Sequence, residues 1–360
     1  MAKRSCSVAG MVRNMLEFYR DKRIFVTGHT GFKGTWLSTI LRMAGAKVTG
    51  YALPSEELSL CRIVDLENQM GAVHGDVRDL DSLWAAFEQA QPEIVFHLAA
   101  QPIVREGYRD PVGTYSTNVM GTVHILECVR RLGCVRSFLN VTTDKVYENC
   151  QGARGYQEAD TLNGFDPYAN SKSCSELVTS SYKKSFFSDG SVAISTARAG
   201  NVIGGGDFSA DRIIPDCIRA AQMGIPVQLR NPDSVRPYQH VLEPLAAYLL
   251  IAQRQYEDAG LADSYNVGPD SCDCLTTGQL ADLFCQAWGE PACWEYAGQS
   301  GPHEDAVLKL DCAKIQNVLG WKPKWRADRA VAETVAWTKA WMEGRGSAYM
   351  EKQITVFFDA

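Results

Sequence analysis

Two kinds of segment are missing from this 360-residue sequence. No apolar run reaches the ~18 residues that a membrane-spanning helix needs, so the sequence predicts no span. Basic residues are not in excess either, because 36 Lys and Arg stand against 42 Asp and Glu, a net charge of −6. A chain with this charge is not expected to have nucleic acid as its main partner.

A metal-binding pattern of cysteine and histidine is also missing. The 12 cysteines are scattered without a C-x-x-C pair, and no histidine pattern completes a zinc site with Cys272 and Cys274. His97 and His124 stand in apolar surroundings that are typical of core histidines. We therefore predict no metal, reduced thiols and a cytoplasmic location.

Both ends of the chain are interpreted as lying outside the main fold. Residues 1–20 carry several basic side chains but no continuous apolar segment, which argues against a secretory signal. We interpret them as an extension and place the start of the fold near Phe18. Residues 346–360 are interpreted as a C-terminal tail.

A glycine-rich turn between a strand and a helix is the first positive feature. Arg23–Thr27 predicts a short buried strand and Thr35–Ala44 a helix, with Gly28, Gly31 and Gly34 between them. The first glycine permits the tight turn, the second lets the backbone approach a pyrophosphate, and the third lets the helix pack on the strand. Free N–H groups at the helix start attract phosphates. The G-x-x-G-x-x-G spacing in this context predicts dinucleotide binding.

A second feature combines redox and acid–base residues. Tyr168 and Lys172 are spaced i, i+4 on a predicted helix, so both side chains lie on one face. A phenol is a poor base at its usual pKa of about 10, and a nearby ammonium lowers that pKa. Thr143, Asp144 and Lys145 follow a predicted strand and add an acid and an amine. A plain oxidoreductase needs only the Tyr–Lys pair, so this combination indicates proton chemistry on the substrate.

Strand and helix patterns alternate through the first 200 residues, which predicts an α/β fold with a doubly wound parallel, Rossmann-type sheet. The later part predicts a smaller, mostly helical lobe, with helices that include residues 277–288 and 327–342 and short strands at residues 227–230, 264–267 and 306–310. We assign residues 21–200 to a dinucleotide-binding domain, residues 201–345 to a substrate-binding lobe, and expect residues 239–268 to return to the main sheet.

Three predicted strands end in small or polar residues: Asp76, the pair Ala99 and Ala100, and the segment from Thr143 to Lys145. The carboxyl ends of parallel strands meet at one edge of a sheet, where ligands bind. These residues are therefore predicted to share one crevice.

Several stretches resemble one protein family, the nucleotide-sugar-modifying branch of the extended short-chain dehydrogenase/reductases. The resemblance covers about residues 22–345, and within the branch it is strongest to the dehydratases that act on CDP-glucose. The stretches are VTGHTGFKGTW (26–36), GYAL (50–53), FHLAAQPIV (96–104), TYSTNVMGT (114–122), RAGNVIGGGD (198–207), DRIIPD (211–216) and RPYQHVLEP (236–244).

The resemblance implies NAD as cofactor and loss of water from C5 and C6 of CDP-glucose. Hydride leaves C4 and later returns to C6. Tyr168 and Lys172 are expected to serve the first of these steps, with Thr143 hydrogen-bonded to the C4 oxygen. Asp144 is the expected acid for the C6 hydroxyl, provided burial raises its pKa. Lys145 stands where dehydratases of the thymidine type carry Glu. As the base for the C5 proton it has to be neutral, which desolvation and nearby cations favour.

The resemblance also implies which residues hold the ligands. Asn201 and Arg236 are expected on the pyrophosphate and Arg212 on the nucleotide, with His303 and Glu304 near the ribose or diphosphate. The second strand lacks the acidic residue that would bind the adenosine ribose, which leaves the affinity for NAD open. Gln101 and Asn118 complete the substrate set. The cofactor set is Gly28, His29, Thr30, Gly31, Phe32, Lys33, Gly34, Asp76, Val77, Leu98, Ala99, Ala100, Gln101, Thr117, Val141, Tyr168, Lys172 and Arg198.

Several other functions share parts of this pattern. A 4-epimerase uses the Tyr–Lys pair but needs no acid and base at positions 144 and 145, and a nucleotide-sugar decarboxylase acts on a uronate. A GDP-mannose dehydratase is expected to carry Glu in place of Lys145. A redox-sensing regulator keeps the glycine-rich turn but can lose Tyr168 and Lys172. The two long helices, residues 114–132 and 167–187, are expected to pair across a two-fold axis in a homodimer or tetramer.

Overall fold

The computed structural model describes residues 15–149, 154–298 and 308–359. Its centre is a seven-stranded sheet in which every strand pairs in parallel with its neighbours. The spatial order is β11-β6-β5-β4-β1-β2-β3, so the predicted doubly wound parallel sheet is confirmed. The strands are β1 (Arg23–Thr27), β2 (Lys47–Ala52), β3 (Gly71–His74), β4 (Ile94–His97), β5 (Ser137–Thr143), β6 (Ala193–Ala199) and β11 (Ser264–Val267).

The pairing register places the carboxyl ends of the central strands at the same edge of the sheet. Thr27 at the end of β1 pairs with His97 at the end of β4, and His97 pairs with Asn140 on β5. Strand β5 continues to Thr143, which pairs with Ala199 at the end of β6. The segments that follow these strands therefore leave the sheet at one edge.

Helices cover both faces of the sheet because its strands are apolar on both sides. One buried cluster includes Trp36, Leu245 and Trp337, and the cluster on the other face includes Phe87 and Phe138. The helices of this part are α1 (Phe32–Met43), α2 (Leu60–Ile63), α3 (Leu80–Ala90), α4 (Val104–Arg109), α5 (Pro111–Tyr115), α6 (Gly121–Arg131), α7 (Pro167–Phe186) and α9 (Leu242–Glu257).

The first long helix is irregular at its centre. Helices α5 and α6 are joined without a break by a π-helical turn, Ser116–Met120, which contains the buried Asn118. Such turns carry one extra residue and are frequent near functional sites. The predicted helix over residues 114–132 therefore exists, but it begins at Pro111.

The lobe has its own core, which includes Ile214, Leu280 and Val331. Its short strands were predicted only in part, because two-residue pairs have too little periodicity to be seen in a sequence. The remaining elements are β7 (Val202–Ile203), α8 (Ile213–Met223), β8 (Val227–Leu229), β9 (Val235–Arg236), β10 (Gln239–His240), β12 (Leu275–Thr276), α10 (Thr277–Trp288), β13 (Trp294–Tyr296), α11 (Ala313–Leu319), α12 (Ala327–Met342) and α13 (Gly346–Asp359).

Both ends of the described chain correct an expectation. Residues 346–359 are not a tail but the helix α13, whose Phe357 and Phe358 are buried in the main core. Met15 and Tyr19 are buried in the same core, and the Tyr19 hydroxyl donates to the carbonyl of Leu249, so the fold includes residues before Phe18. Of the strand predicted at residues 306–310, residues 308–310 are described, and they contain only an isolated bridge from Leu310 to Tyr156. Among the described residues, no helix is both long and apolar enough to cross a bilayer.

Candidate active site

The glycine-rich turn packs too closely for side chains at two of its positions. Gly28 has φ +78°, and a Cβ there would lie 2.8 Å from the backbone N of Ala99. A Cβ on Gly34 would lie 2.0 Å from the carbonyl oxygen of Gly28. Helix α1 begins after Gly31 without a side-chain cap and without an acidic residue in its first turn. Its N–H groups are thus left for an anion, and the turn fits a dinucleotide pyrophosphate.

Two of the predicted cofactor residues, His29 and Asp76, have partners within the protein. His29 is buried against Gly50, with Nε2 3.3 Å from Oε1 of Glu67, and burial lowers the pKa of His29. The Asp76 carboxylate accepts hydrogen bonds from Arg78, which lower the pKa of Asp76 and leave it an ionised acceptor. The assignment of His29 and Asp76 to the cofactor stays a prediction.

The end of strand β5 presents the predicted acid. Thr143 Oγ1 donates to Asp144 Oδ1 over 3.0 Å, and a short 3-10 turn, Asp144–Val146, follows. The Asp144 side chain is buried, and burial raises its pKa despite the opposing effects of Lys145, Thr143 and Arg236. Among the described residues Asp144 Oδ2 has no hydrogen-bond partner. A carboxyl with a raised pKa and one free oxygen is suited to donate a proton.

Helix α7 brings Tyr168 and Lys172 to the same edge of the sheet. The helix starts at Pro167, and the Asp166 side chain caps it by accepting from the N–H of Ala169. Lys172 Nζ donates to the carbonyl of Val141 over 2.8 Å. Burial and then the charge of Lys33 lower the pKa of Lys172 to about 8.

The pKa of Tyr168 differs from the expectation. Burial raises the pKa of Tyr168 to about 12, and the groups that lower it are Thr143, by a hydrogen bond, and Arg212, by its charge. The predicted effect of Lys172 on this pKa stays a prediction, and in the structure its ammonium donates to the carbonyl of Val141. Ionisation of Tyr168 needs a further positive charge.

A cavity of about 340 Å³ connects these residues with the lobe. Helix α1, the loop after β4, the end of β5 and helix α7 line one side, and residues 199–238 with Thr277 line the other. Positive side chains outnumber negative ones in this lining although the whole chain has a net charge of −6. The excess favours a dianionic ligand such as a diphosphate. The cations are Lys33, Arg105, Lys145, Arg212, Arg230 and Arg236, and the carboxylates are Asp144, Asp207, Asp211 and Asp216.

The predicted substrate residues of the lobe lie in this lining. Asn201 and Arg236 are both part of it, and Arg236 is nearly fully buried with its guanidinium donating to the carbonyl of Val235. Arg212 pairs with Asp207 over 2.8 Å and remains partly exposed. Their roles on the diphosphate and nucleotide stay predictions, and His303 and Glu304 lie outside the described residues.

Two predicted ligand residues are engaged with the protein itself. Asn118 in the π-helical turn donates to the carbonyl of Gln101 and to Ser171, and accepts from the N–H of Gln101. The Gln101 side chain is bonded to Thr114 and to the backbone of Ile103. These two residues therefore brace the loop after β4.

Arg198 was predicted at the cofactor, and the structure buries it in an ion pair. Its guanidinium pairs with Glu176 over 2.9 Å and donates to the hydroxyl of Tyr147. Arg198, like Lys172, is absent from the cavity lining, and its assignment to the cofactor stays a prediction. An arginine at a strand end has the same sequence pattern in either setting.

Sequence reasoning missed part of the charge in the cavity. Lys33 was predicted at the cofactor, but its charge also acts on Asp144, and burial with the charge of Arg212 lowers the pKa of Lys33 to about 8. Asp211 pairs with Arg105 over 2.7 Å and lies 3.9 Å from Arg230. Arg105 directly follows the stretch 96–104, which would have indicated it, whereas Arg230 has no comparable signal.

Comparisons with known proteins found similarity over most of the chain. A family model described as GDP-mannose 4,6 dehydratase matches residues 25–334. CDP-glucose 4,6-dehydratase of Salmonella typhimurium is 46% identical over 343 residues, which cover 93% of this chain and 96% of that protein.

Two solved structures share the fold. The epimerase Mth375 of Methanothermobacter thermautotrophicus has a TM-score of 0.81 at 21% identity, covering 95% of this chain and 99% of that one. The dTDP-glucose 4,6-dehydratase of Bacillus anthracis in complex with NAD has a TM-score of 0.75 at 21% identity, covering 89% and 97%. Since an epimerase and a dehydratase both match, the fold alone does not select between them.

Proposed function

The chain belongs to the GDP-mannose 4,6 dehydratase family, and from this premise we propose that it catalyses the 4,6-dehydration of CDP-glucose. The products are CDP-4-keto-6-deoxyglucose and water. The observation that carries the proposal is the buried Asp144, with its raised pKa and free oxygen, in one cavity with Lys145 and Tyr168. A 4-epimerase has no use for this acid. The 46% identical relative supports CDP-glucose as the substrate.

NAD is the cofactor of the proposed reaction, and when bound it accepts hydride from C4 and returns it to C6. The glycine-rich turn and the uncapped start of helix α1 are suited to its pyrophosphate. Tyr168, which lines the cavity, and Lys172, one helical turn beyond it on α7, are assigned to the redox step at C4. The raised pKa of Tyr168 supports a role for the positive charge of an oxidised nicotinamide, which would stabilise the phenolate.

The chain's own residues move the protons. Tyr168 removes the proton of the C4 hydroxyl, with Thr143 hydrogen-bonded beside it. Once C4 is a ketone, the C5 proton is acidic and Lys145 removes it. Asp144 donates a proton to the departing C6 hydroxyl, which leaves as water.

The excess positive charge of the cavity holds the diphosphate. Arg236, nearly fully buried, and Asn201 are assigned to its oxygens, and Arg212 to the nucleotide. A guanidinium offers paired donors that match phosphate oxygens. Arg212 would exchange its pairing with Asp207 for the ligand when substrate binds.

Incubation with CDP-glucose, followed by mass spectrometry of the nucleotide sugar, tests the proposal. We expect the mass to fall by one water, and dTDP-, UDP- and GDP-hexoses run in parallel establish the base. A changed sugar at unchanged mass indicates epimerisation, and loss of carbon dioxide from a uronate substrate indicates decarboxylation. Binding of NAD with no change in any nucleotide sugar supports a regulator. Each of these three results rejects the dehydratase assignment.

A homo-oligomer is part of the same proposal. Leu177 and Phe186 on α7, Val112 on α5 and Met120 at the adjoining π-helical turn are exposed apolar side chains. Pairing of these helices in a dimer would cover them, and a tetramer would pair two dimers. Light scattering would distinguish two or four chains from one.

A cytoplasmic location is also proposed, and the ten cysteines of the described residues, all free thiols, support it.

A further inference from the structure

A buried ion pair lies behind the catalytic residues, and the proposed mechanism does not use it. Glu176 on α7 and Arg198 on β6 are 2% and 3% exposed, with 2.9 Å between Arg198 Nη2 and Glu176 Oε2. Burying two charges costs desolvation energy, and apolar side chains at such sites are often equally stable. Stability is therefore a weak explanation for the pair, and its contacts suggest a different one.

Glu176 is hydrogen-bonded to β5, the strand that leads into the turn Asp144–Val146. We call this turn the catalytic turn. Thr142 Oγ1 donates to Glu176 Oε1 over 2.5 Å, and Thr196 Oγ1 donates to Oε2 over 2.7 Å. Thr142 is the residue before Thr143. The position at which the catalytic turn begins is thus tied to helix α7.

The Arg198 end is bonded to the residue that follows the same turn. Arg198 Nη1 donates to the hydroxyl of Tyr147 over 2.9 Å, and this hydroxyl donates to Asn266 Oδ1 over 2.6 Å. The Tyr147 ring stacks on Tyr156, with ring centres 5.0 Å apart and planes 3° apart. Tyr147 is 4% exposed and directly follows the turn Asp144–Val146.

The Glu176 carboxylate therefore holds both ends of the catalytic turn, through Thr142 at one end and through Arg198 and Tyr147 at the other. Glu176 lies one helical turn beyond Lys172 and two beyond Tyr168, at i, i+4 and i+8 on one face of α7. The helix that carries the redox pair thus also fixes the segment that carries the acid and the base.

We propose that Glu176, Arg198 and Tyr147 form a positioning array that sets Asp144 and Lys145 against Tyr168 and Lys172. The inference rests on the proposed function, because only a reaction with both a redox step and an elimination needs the two sets aligned. None of the three residues lines the catalytic cavity, so they act through the residues that do.

The array should matter more for elimination than for oxidation. When Tyr147 loses its hydroxyl, helix α7 still positions Tyr168 and Lys172. The catalytic turn, in contrast, loses its hydrogen bond to Arg198. A misplacement of about 1 Å can cost a reaction step roughly a hundredfold in rate. Weakening the array should therefore leave C4 oxidation running and slow the loss of water.

The test is the Tyr147→Phe variant, which keeps the stacked ring and removes one hydroxyl. We expect its dehydration rate with CDP-glucose to fall about tenfold or more with little change in KM. Absorbance of the reduced nicotinamide should build up during turnover, a signature that general destabilisation does not produce. Thr142→Val weakens the other end of the array and should give the same signature, which keeps the test decisive if Tyr147→Phe folds poorly.

Tyr265→Phe is the matched control, because this buried tyrosine on β11 donates to the carbonyl of Leu261 and does not contact the array. It should turn over at the wild-type rate without the absorbance signature. Wild-type rates in both test variants, or equal slowing of oxidation and elimination, would overturn the inference. If wild-type protein itself removes no water from CDP-glucose, the proposed function fails, and the inference fails with it.

Discussion

At the scale of single residues, the two side chains that follow Thr143 separate dehydration from simple oxidation. We expect Asp144→Asn and Lys145→Met to fold and to bind NAD, because neither position is part of the glycine-rich turn. Both should still oxidise C4, since Tyr168 and Lys172 are intact, but each should lower the yield of dehydrated product at least about a hundredfold. Nicotinamide absorbance and product mass, measured on the same sample, check this. Full turnover by either variant would contradict the assignment.

The sequence predicted these residues because their order along the chain reflects their order at the sheet edge. Asp144 follows a strand, and strand ends meet in a parallel sheet, so its burial and raised pKa were foreseeable. The raised pKa of Tyr168 was not foreseeable, because it depends on how deeply the phenol is buried. Burial depends on packing distances that no residue spacing contains.

At the scale of elements, the contact between α1 and the turn before it depends on Gly34. In Gly34→Ala the added Cβ would meet the carbonyl oxygen of Gly28 at 2.0 Å, so we expect a loss of roughly 1–3 kcal/mol in unfolding free energy and loss of NAD binding. Gly31→Ala is the control, since its Cβ would lie 3.4 Å from that oxygen. In the absence of NAD it should melt near the wild-type temperature. Thermal melting with and without NAD measures both effects, and an unchanged Gly34→Ala protein would refute the argument.

Long elements were predicted more accurately than short ones. The expected helices over residues 277–288 and 327–342 agree with α10 and α12 in full, because each has several turns of apolar periodicity. The π-helical turn at Ser116–Met120 and the two-residue strands of the lobe were not predicted. An extra residue in one turn and a single pair of strand residues leave no periodic pattern.

At the scale of the whole molecule, Glu243 links the main domain to the C-terminal segment. It is fully buried on α9, and its Oε1 accepts the N–H groups of Lys324 and Trp325. Burial raises the pKa of Glu243 from 4.5 to about 7, despite these bonds. A raised carboxyl pKa stabilises the fold fully below pH 4.5, and this contribution is lost as pH rises through about 7.

Glu243→Gln tests this link because glutamine keeps the acceptor oxygen and does not ionise. The wild type should lose unfolding free energy between about pH 5 and pH 8, and the variant should lose roughly 2 kcal/mol less. Denaturant titrations at both pH values measure the difference. Glu257→Gln, at the exposed end of the same helix, should follow the wild type. A parallel loss in Glu243→Gln would mean that the carboxyl does not cause the effect.

The hydroxyl of Thr143 contacts the two groups whose net protonation differs after one cycle of the proposed reaction, Tyr168 and Asp144. In each cycle Tyr168 gains the proton of the C4 hydroxyl, Asp144 loses one to the departing water, and the C5 proton removed by Lys145 can return to C5. The enzyme is restored only when one proton passes from Tyr168 to Asp144. Thr143 is hydrogen-bonded to Tyr168 and donates to Asp144 Oδ1 over 3.0 Å, which makes it the shortest route.

Loss of this proton route from Tyr168 to Asp144 would slow the enzyme after the first product has formed. Thr143→Val should therefore slow the later turnovers more than the first, which also loses the hydrogen bond to Tyr168, whereas Thr143→Ser should not. Rapid-quench kinetics measure the two phases, and added imidazole buffer should speed only the later one. Equal slowing of both phases would show that Thr143 serves the chemistry and not the recovery. If mainly the later phase slows, the hydrogen bond from Thr143 to Asp144 at the end of β5 is what allows the protein to repeat its reaction.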